Sequence, residues 1–389
     1  MAGDGGSSVS IALAATAAFG LESLVELEVR ELGFTDAYID NGRVLFRADE
    51  RGLARANLWL RCADRVLVQV GTYPASTFDE LFEGCRALPW ADWIPENGRF
   101  PVSGRSVKSK LHSVPDCQAI VKKAVVESLK AKHHLERFPE TGPEFQIEVS
   151  LLEDIATLTL DTSGQALHKR GYRKSPGTAP LKETLAAGMV MISRWRPGRP
   201  FMDPFCGSGT IPVEAALMGL NIAPGLSRTF AAEGWPSIPA ATWAAAREEA
   251  RDLAQPGRSL DLRASDRDEG AIRDARGNAD AAGVGSKIRF AAIDVRDIRP
   301  EGDFGCIVCN PSYGERLGDS REATEAYGAM KAAFRRFGTW SFFVITPQRN
   351  FERVFGRSAD KRRRLFNGNI LCTYYQFFGP LPPQRATPG

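Results

Sequence analysis

Phe201-Met202-Asp203-Pro204-Phe205-Cys206-Gly207-Ser208-Gly209-Thr210 ends a short apolar run in an acidic residue, turns through two glycines and enters a segment with helical spacing. Glycines at a strand-to-helix turn let a ligand approach the backbone closely, and the free N–H groups of a helix start face a polar group on that ligand. Tight turns of every kind use glycine, so this stretch gains its meaning from the residues downstream of it. Strand-like runs at 260–264, 288–292, 304–308 and 341–345 alternate with helical spacing at 182–195, 210–218, 268–281 and 322–337, the rhythm of a doubly wound α/β sheet. The tail departs from it: residues 362–366 and 370–378 flank Asn367-Gly368, a pair favoured in primed turns, and predict a closing hairpin. Residues 240–254, rich in Ala, Glu and Arg, predict an exposed helix inserted after the first crossover.

In such a sheet the carboxyl ends of the strands share one crevice, and acidic residues stand at three of them: Asp203, Asp266 and Asp294. One carboxylate can accept two hydrogen bonds from a ribose diol and another can accept from an adenine amino group, so the set suits an adenosyl cofactor. Asp268 is accounted for as the cap of the next helix. At the end of the fourth strand stands Asn310-Pro311-Ser312-Tyr313-Gly314. An exocyclic base amine is a poor nucleophile because its lone pair is delocalised into the ring. The Asn310 amide oxygen and the Pro311 carbonyl can each accept one amine hydrogen, favouring a nitrogen whose lone pair is aimed at an electrophilic methyl. Tyr313 would stack on a base taken out of its own stack. Alone, the same residues would be an ordinary turn; after the glycine bend and the strand-end carboxylates they form a site. This chemistry requires no metal, covalent nucleophile or histidine.

Ahead of the sheet the pattern differs. Residues 11–19 form an apolar run without a preceding basic stretch and predict a buried strand rather than a leader. Helical spacing at 21–29, strands at 37–39 and 44–47, a helix at 53–60 and a strand at 66–70 give the order β-α-β-β-α-β, ferredoxin-like. A helix at 77–86, a strand at 100–103, a helix at 116–130 and strands at 145–151 and 155–161 come next, and the Gly, Pro and Lys-rich residues 164–180 predict a connection into the next domain. Expected domains are therefore 1–73, 74–163 and 164–389.

With 389 residues, 43% hydrophobic and 25% charged, the chain sits in the globular range, and no run approaches the roughly 18 apolar residues of a membrane span. The seven cysteines lack zinc-site spacing and fit reduced thiols in a cytoplasmic protein; Cys306 and Cys309 read as buried strand residues. A net charge of +3 does not itself point to a polyanion. Two local clusters matter more, Arg105, Lys108, Lys110, Lys122 and Lys123, then His168, Lys169, Arg170, Arg173 and Lys174; a charge run usually marks a solvated face, with nucleic acid the alternative.

With these motifs in place, the sequence resembles the bacterial class I RNA methyltransferases that join a THUMP domain to a Rossmann-like catalytic domain and make N2-methylguanosine in 23S ribosomal RNA. Residues 100–129 look like the second part of a THUMP module. His168-Lys169-Arg170-Gly171-Tyr172-Arg173, Ala179-Pro180-Leu181-Lys182-Glu183-Thr184-Leu185-Ala186-Ala187 and Asn221-Ile222-Ala223-Pro224-Gly225 are family-like stretches, as is the glycine turn.

The resemblance implies a seven-stranded class I methyltransferase domain ending in a hairpin, preceded by ferredoxin-like and THUMP α+β domains, with S-adenosylmethionine (SAM) as cofactor and RNA as partner. It assigns Asp203, Pro204, Gly207, Ser208, Gly209, Thr210, Asp266, Asp294 and Asn310 to the cofactor and Asn310, Pro311 and Tyr313 to the target base. Arg105, Lys108, Lys110, Lys122, Lys123, Lys169, Arg170 and Arg173 go to RNA. Where the family carries a second proline this chain has Ser312, which frees a backbone torsion and leaves the acceptors and aromatic in place. The rival expectations are a transfer-RNA guanine-N2 methyltransferase, an adenine-N6 DNA methyltransferase and a non-catalytic RNA-binding or assembly protein.

Overall fold

The first sheet forms where short β-branched and apolar runs alternate with capped helices. The computed structural model describes residues 10–173, 181–311 and 320–383. In chain order the first elements are β1 (Ile11–Ala17), α1 (Glu22–Glu31), β2 (Tyr38–Asp40), β3 (Arg43–Ala48), α2 (Glu50–Trp59) and β4 (Ala63–Pro74). They continue with α3 (Phe78–Arg86), β5 (Val102–Val107), α4 (Val114–His133), β6 (Ile147–Leu152) and β7 (Ile155–Asp161). Asp49 caps α2 by accepting from Gly52 N at 2.7 Å, and Thr77 with Glu80 closes a capping box on α3.

These strands make one sheet in the order β2-β3-β1-β4-β7-β6-β5. The β2-β3-β1-β4 half has the ferredoxin-like order expected from the sequence. β4, at twelve residues, is longer than the expected 66–70 because it serves both halves, pairing with β1 on one side and β7 on the other.

The second half runs α5 (Glu183–Ile192), β8 (Phe201–Asp203), α6 (Thr210–Gly219), α7 (Ala240–Asp252), β9 (Leu262–Asp266), α8 (Glu269–Ala281) and β10 (Ile288–Ala292). It ends with β11 (Cys306–Cys309), α9 (Ser320–Phe334), β12 (Ser341–Thr346), α10 (Phe351–Phe355), β13 (Lys361–Asn367) and β14 (Ile370–Phe377). The sheet order is β10-β9-β8-β11-β12-β14-β13, parallel through β12 and antiparallel in the closing hairpin. This is the Rossmann-like, seven-stranded class I methyltransferase sheet. Met202, Ile307, Val344, Phe337, Trp340 and Phe351 belong to one buried cluster on it.

By contacts the chain divides into two units: Val25–Leu167 with the residues up to Ala17 and Gly225–Ala250, and His168–Pro224 with Ala18–Leu24 and the residues from Arg251 on. The insertion at 225–250 thus folds with the first unit. Trp235 stacks on Phe145 at 4.8 Å and donates to the Glu144 carbonyl at 2.9 Å, while Glu249 pairs with Arg51 and Arg55 at 3.0 and 3.2 Å. The expected exposed helix is corrected accordingly: Trp243, Ala246 and Ala250, at helical spacing, are buried. No described helix is long and apolar enough to cross a membrane. Cys306 and Cys309 are buried free thiols on β11, as their apolar run predicts.

Candidate active site

Asp203 closes β8 and is only 1% exposed. One carboxylate oxygen accepts from Phe205 N at 3.0 Å; the other has no hydrogen-bond partner among the described residues. Burial, reinforced by the charge of Asp266, holds this carboxyl well above the usual carboxylate range. An acceptor so placed has capacity for an incoming donor, best a cationic one.

The bend after it depends on two glycines with left-handed backbones, Gly207 at φ +49° and Gly209 at +83°. A side chain at Gly209 would meet the Ala275 Cβ at 3.0 Å, so the bend packs directly on α8. At Gly207 a Cβ would meet nothing within 4 Å; the backbone there faces open space. Cys206 N donates to the Ser265 carbonyl at 3.0 Å and Gly207 N to Asp266 Oδ2 at 3.0 Å, tying the bend to the end of β9. Asp266 Oδ1 accepts from Asp268 N at 3.1 Å, and Asp268 caps α8 through Gly270 N at 2.7 Å, as its sequence position predicts.

Asn278 was not anticipated. Its side-chain amide donates to the Ser208 carbonyl at 3.0 Å from the face of α8 that also carries Ile272, Ala275 and Ala279. A polar residue recurring on that apolar face was the available signal.

Asp294 follows β10, and the Ile293 amide donates to the Asp266 carbonyl at 2.9 Å, so this loop is held to β9. Its carboxylate differs from the expected open acceptor. Arg296 meets Oδ1 through Nε at 2.8 Å and Oδ2 through Nη2 at 2.9 Å, and these bonds hold the carboxyl down at about 2. An adenine amino group at Asp294 would share it with that guanidinium.

Asn310 directly follows β11, which pairs Ile307 with Met202 of β8 and Cys309 with Val344 of β12. Continuing the parallel pairing of Ile307 with Met202 sets Val308 level with Asp203, so the end of β11 lies beside Asp203. The Asn310 side-chain oxygen is buried and has no hydrogen-bond partner among the described residues. Leaving such an acceptor unmet costs about 1–3 kcal/mol, a cost removed when a ligand N–H arrives. Pro311 is buried. Ser312, Tyr313 and Gly314 lie outside the described residues, as does Lys174.

The basic residues divide. Arg105, Lys108, Lys110, Lys123 and Lys169 are exposed. Arg105 and Lys108 lie 3.6 and 3.5 Å from Glu148 and Glu153. Lys122 instead reaches inward to Glu140 at 2.7 Å and the Phe100 carbonyl at 3.0 Å. Arg170, 4% exposed, lies 3.6 Å from the buried Glu214, to which Tyr172 also donates at 3.1 Å. Arg173 donates to Thr210 Oγ1 at 2.7 Å and to the Leu181 carbonyl at 3.0 Å, and lies 3.5 Å from Glu183. The assignment of Arg170 and Arg173 to RNA is therefore corrected, whereas Lys122 and Glu140 form a half-exposed pair. Arg170 and Arg173 answer carboxylates inside their unit and fasten residues 170–173 to the start and middle of α6.

These residues fit an adenosyl cofactor. The open Asp203 oxygen suits an ammonium group, the bare face of Gly207 allows close approach, and Asp266 keeps lone pairs for hydroxyl donors.

Comparison with known proteins agrees. The RMKL-like methyltransferase domain matches residues 170–376, the RlmL ferredoxin-like domain residues 12–67 and the THUMP domain residues 75–161. A Bacillus subtilis (strain 168) relative, YpsC, provisionally named an RNA methyltransferase, is 51% identical over 375 residues, 96% of this chain and 97% of its own. A Listeria monocytogenes str. 4b F2365 structure, named a predicted N6-adenine-specific DNA methylase, is 50% identical with a TM-score of 0.92, covering 96% of this chain and 97% of its own. The methyltransferase SMU.472, solved with S-adenosylhomocysteine (SAH), is 43% identical with a TM-score of 0.91, covering 97% of this chain and 99% of its own. A domain match spanning more than half the chain and relatives this alike along almost its whole length make it a THUMP-bearing, SAM-dependent member of the RMKL-like methyltransferase family.

Proposed function

We propose that the chain transfers a methyl group to the exocyclic N2 of a guanine in 23S ribosomal RNA. The observation that carries this reading is the buried Asn310 oxygen at the end of β11, without a hydrogen-bond partner among the described residues and one strand over from the glycine bend. SAM supplies an electrophilic methyl group on sulfur. Asn310 Oδ1 and the Pro311 carbonyl accept the two amine hydrogens, and the nitrogen lone pair, no longer held in the ring plane, bonds to the methyl carbon as its bond to sulfur breaks. The nitrogen then loses one proton to water. The two acceptors favour the transition state more than the planar ground state, which is where catalysis is gained.

The THUMP match and the name of the Bacillus relative support RNA as substrate. On the cofactor side this reading puts Asp203, Pro204, Gly207, Ser208, Gly209, Thr210, Asp266 and Asp294. A second reading, adenine N6 in DNA, has the name of the Listeria structure in its favour, and the same two acceptors serve an adenine amine. Labelled SAM offered with ribosomal RNA, transfer RNA and DNA in separate reactions, followed by mass spectrometry of the nucleosides, tests the choice. N2-methylguanosine in large-subunit RNA is expected. N6-methyladenine as the main product rejects the guanine reading.

A further inference from the structure

The β13–β14 hairpin has no role in the site so far, yet its register brings it alongside. β12 ends with Thr346 opposite Thr373, whereas β14 begins at Ile370. The hairpin thus runs about 10 Å past the end of β12, at roughly 3.3 Å per residue. Continuing the pairing of Cys309 with Val344 sets Asn310 and Pro311 level with Ile345 and Thr346. Arg364 of β13 lies opposite Thr373. It is therefore level with Pro311 and three strands away, about 15 Å at roughly 4.8 Å per strand.

Arg362, Arg364 and Phe366 share one face of β13. Arg362 is engaged by Glu352 at 2.9 and 2.7 Å. Arg364 is exposed and forms no ion pair among the described residues. Phe366 is 37% exposed and meets Phe19 of the same unit, itself 58% exposed, edge-on at 5.8 Å; Leu371, opposite Phe366, is 46% exposed.

Charges on an edge strand commonly guard it against pairing with another chain. A guard has no use for two open phenyl rings and a leucine beside the charge. A cation next to exposed rings instead suits a single strand of nucleic acid, with a phosphate on the cation and a base on the ring.

We propose that this hairpin contacts the RNA flanking the target base, with Arg364 pairing a phosphate and Phe366 with Phe19 stacking a base. The proposal rests on the RNA reading above. The hairpin holds the strand that enters the site from the β13 edge.

An in vitro transcript of 23S ribosomal RNA is the probe, with methyl transfer, filter binding over a salt series and SAM titration measured on the full chain. Arg364→Gln and Phe366→Ala each raise the RNA KM about tenfold and leave SAM affinity unchanged. Arg364→Gln also lowers the slope of log affinity against log salt by about one, and Arg364→Lys keeps that slope. Unchanged RNA KM and salt slope in both variants, with the protein self-associating when Arg364 is lost, overturn the proposal in favour of edge protection. If the unaltered protein methylates DNA and no RNA, the RNA reading itself falls and takes this proposal with it.

Discussion

Gly207 donates its amide to Asp266 across 3.0 Å, so the acidic end of β9 fixes the bend that succeeds β8. That carboxylate both shapes the cofactor bend and offers remaining lone pairs to a ribose diol. Asp266→Ala therefore lowers SAM affinity by tenfold or more, on the order of the 1.5–3 kcal/mol of a hydrogen bond to a charged group. Calorimetric titration checks it, and an unchanged dissociation constant refutes the role.

Asn310→Ala should separate binding from turnover. With SAM affinity within about twofold of the parent, kcat falls about a hundredfold or more, the usual cost of one transition-state acceptor or donor. Because the Asn310 oxygen has no hydrogen-bond partner among the described residues, its removal does not lower the melting temperature. A large loss of SAM binding with turnover retained would reverse the assignment.

Asp203 predicts a pH effect whose sign is set by its environment. Its folded carboxyl titrates above the ordinary 3.8, so the stability it contributes is full below that value and is lost as pH rises through the folded pKa. Asp203→Asn should thus raise the melting temperature of ligand-free protein at neutral pH while weakening SAM binding. Thermal melts of both proteins over a pH series check the first effect and calorimetric titration the second; a variant no more heat-stable than the parent at neutral pH refutes the burial cost.

Arg170 tests the corrected basic cluster. Removing it by Arg170→Leu leaves Glu214, fully buried, without its cation and costs about 3–5 kcal/mol in denaturant unfolding. Arg105→Gln, at an exposed position, leaves the unfolding midpoint in place and lowers RNA affinity with a shallower salt dependence. Equal effects of the two substitutions on RNA binding alone would restore Arg170 to the surface.

The alternation of strand and helix, the order of the acidic strand ends and the Asn310 position were all readable because they rest on local periodicity and on one topological rule. What escaped depended on partners distant in sequence. A charge run such as 168–174 looks the same whether it faces water or, as Arg170 and Arg173 do, carboxylates supplied by Glu214 and Glu183. Residues 240–254 have an exposed-helix composition, yet Trp243, Ala246 and Ala250 are buried, and Glu249 beside them pairs with Arg51 and Arg55 some two hundred positions earlier. β5 lies at Val102–Val107 rather than at 100–103 because its alternating, half-exposed residues give little apolar contrast, and α10 is too short for a helical period to register. Asp294 was placed correctly at a strand end, but an ion pair two residues away could not be foreseen from its type.

The chain passes between its two contact units five times, at 17/18, 24/25, 167/168, 224/225 and 250/251. Neither body is a contiguous stretch that can be lifted out. A fragment beginning near residue 164 keeps the bend, the strand-end acids and Asn310, but also a loose arm on which Trp235 has lost Phe145 and the Glu144 carbonyl and Glu249 has lost Arg51 and Arg55, and it lacks the few residues around Leu21 that its own fold uses. Such a catalytic half expressed alone should aggregate through the stranded Trp235 face, and grafting this methyltransferase onto another RNA-binding module would require moving the arm with the partner it was shaped to grip.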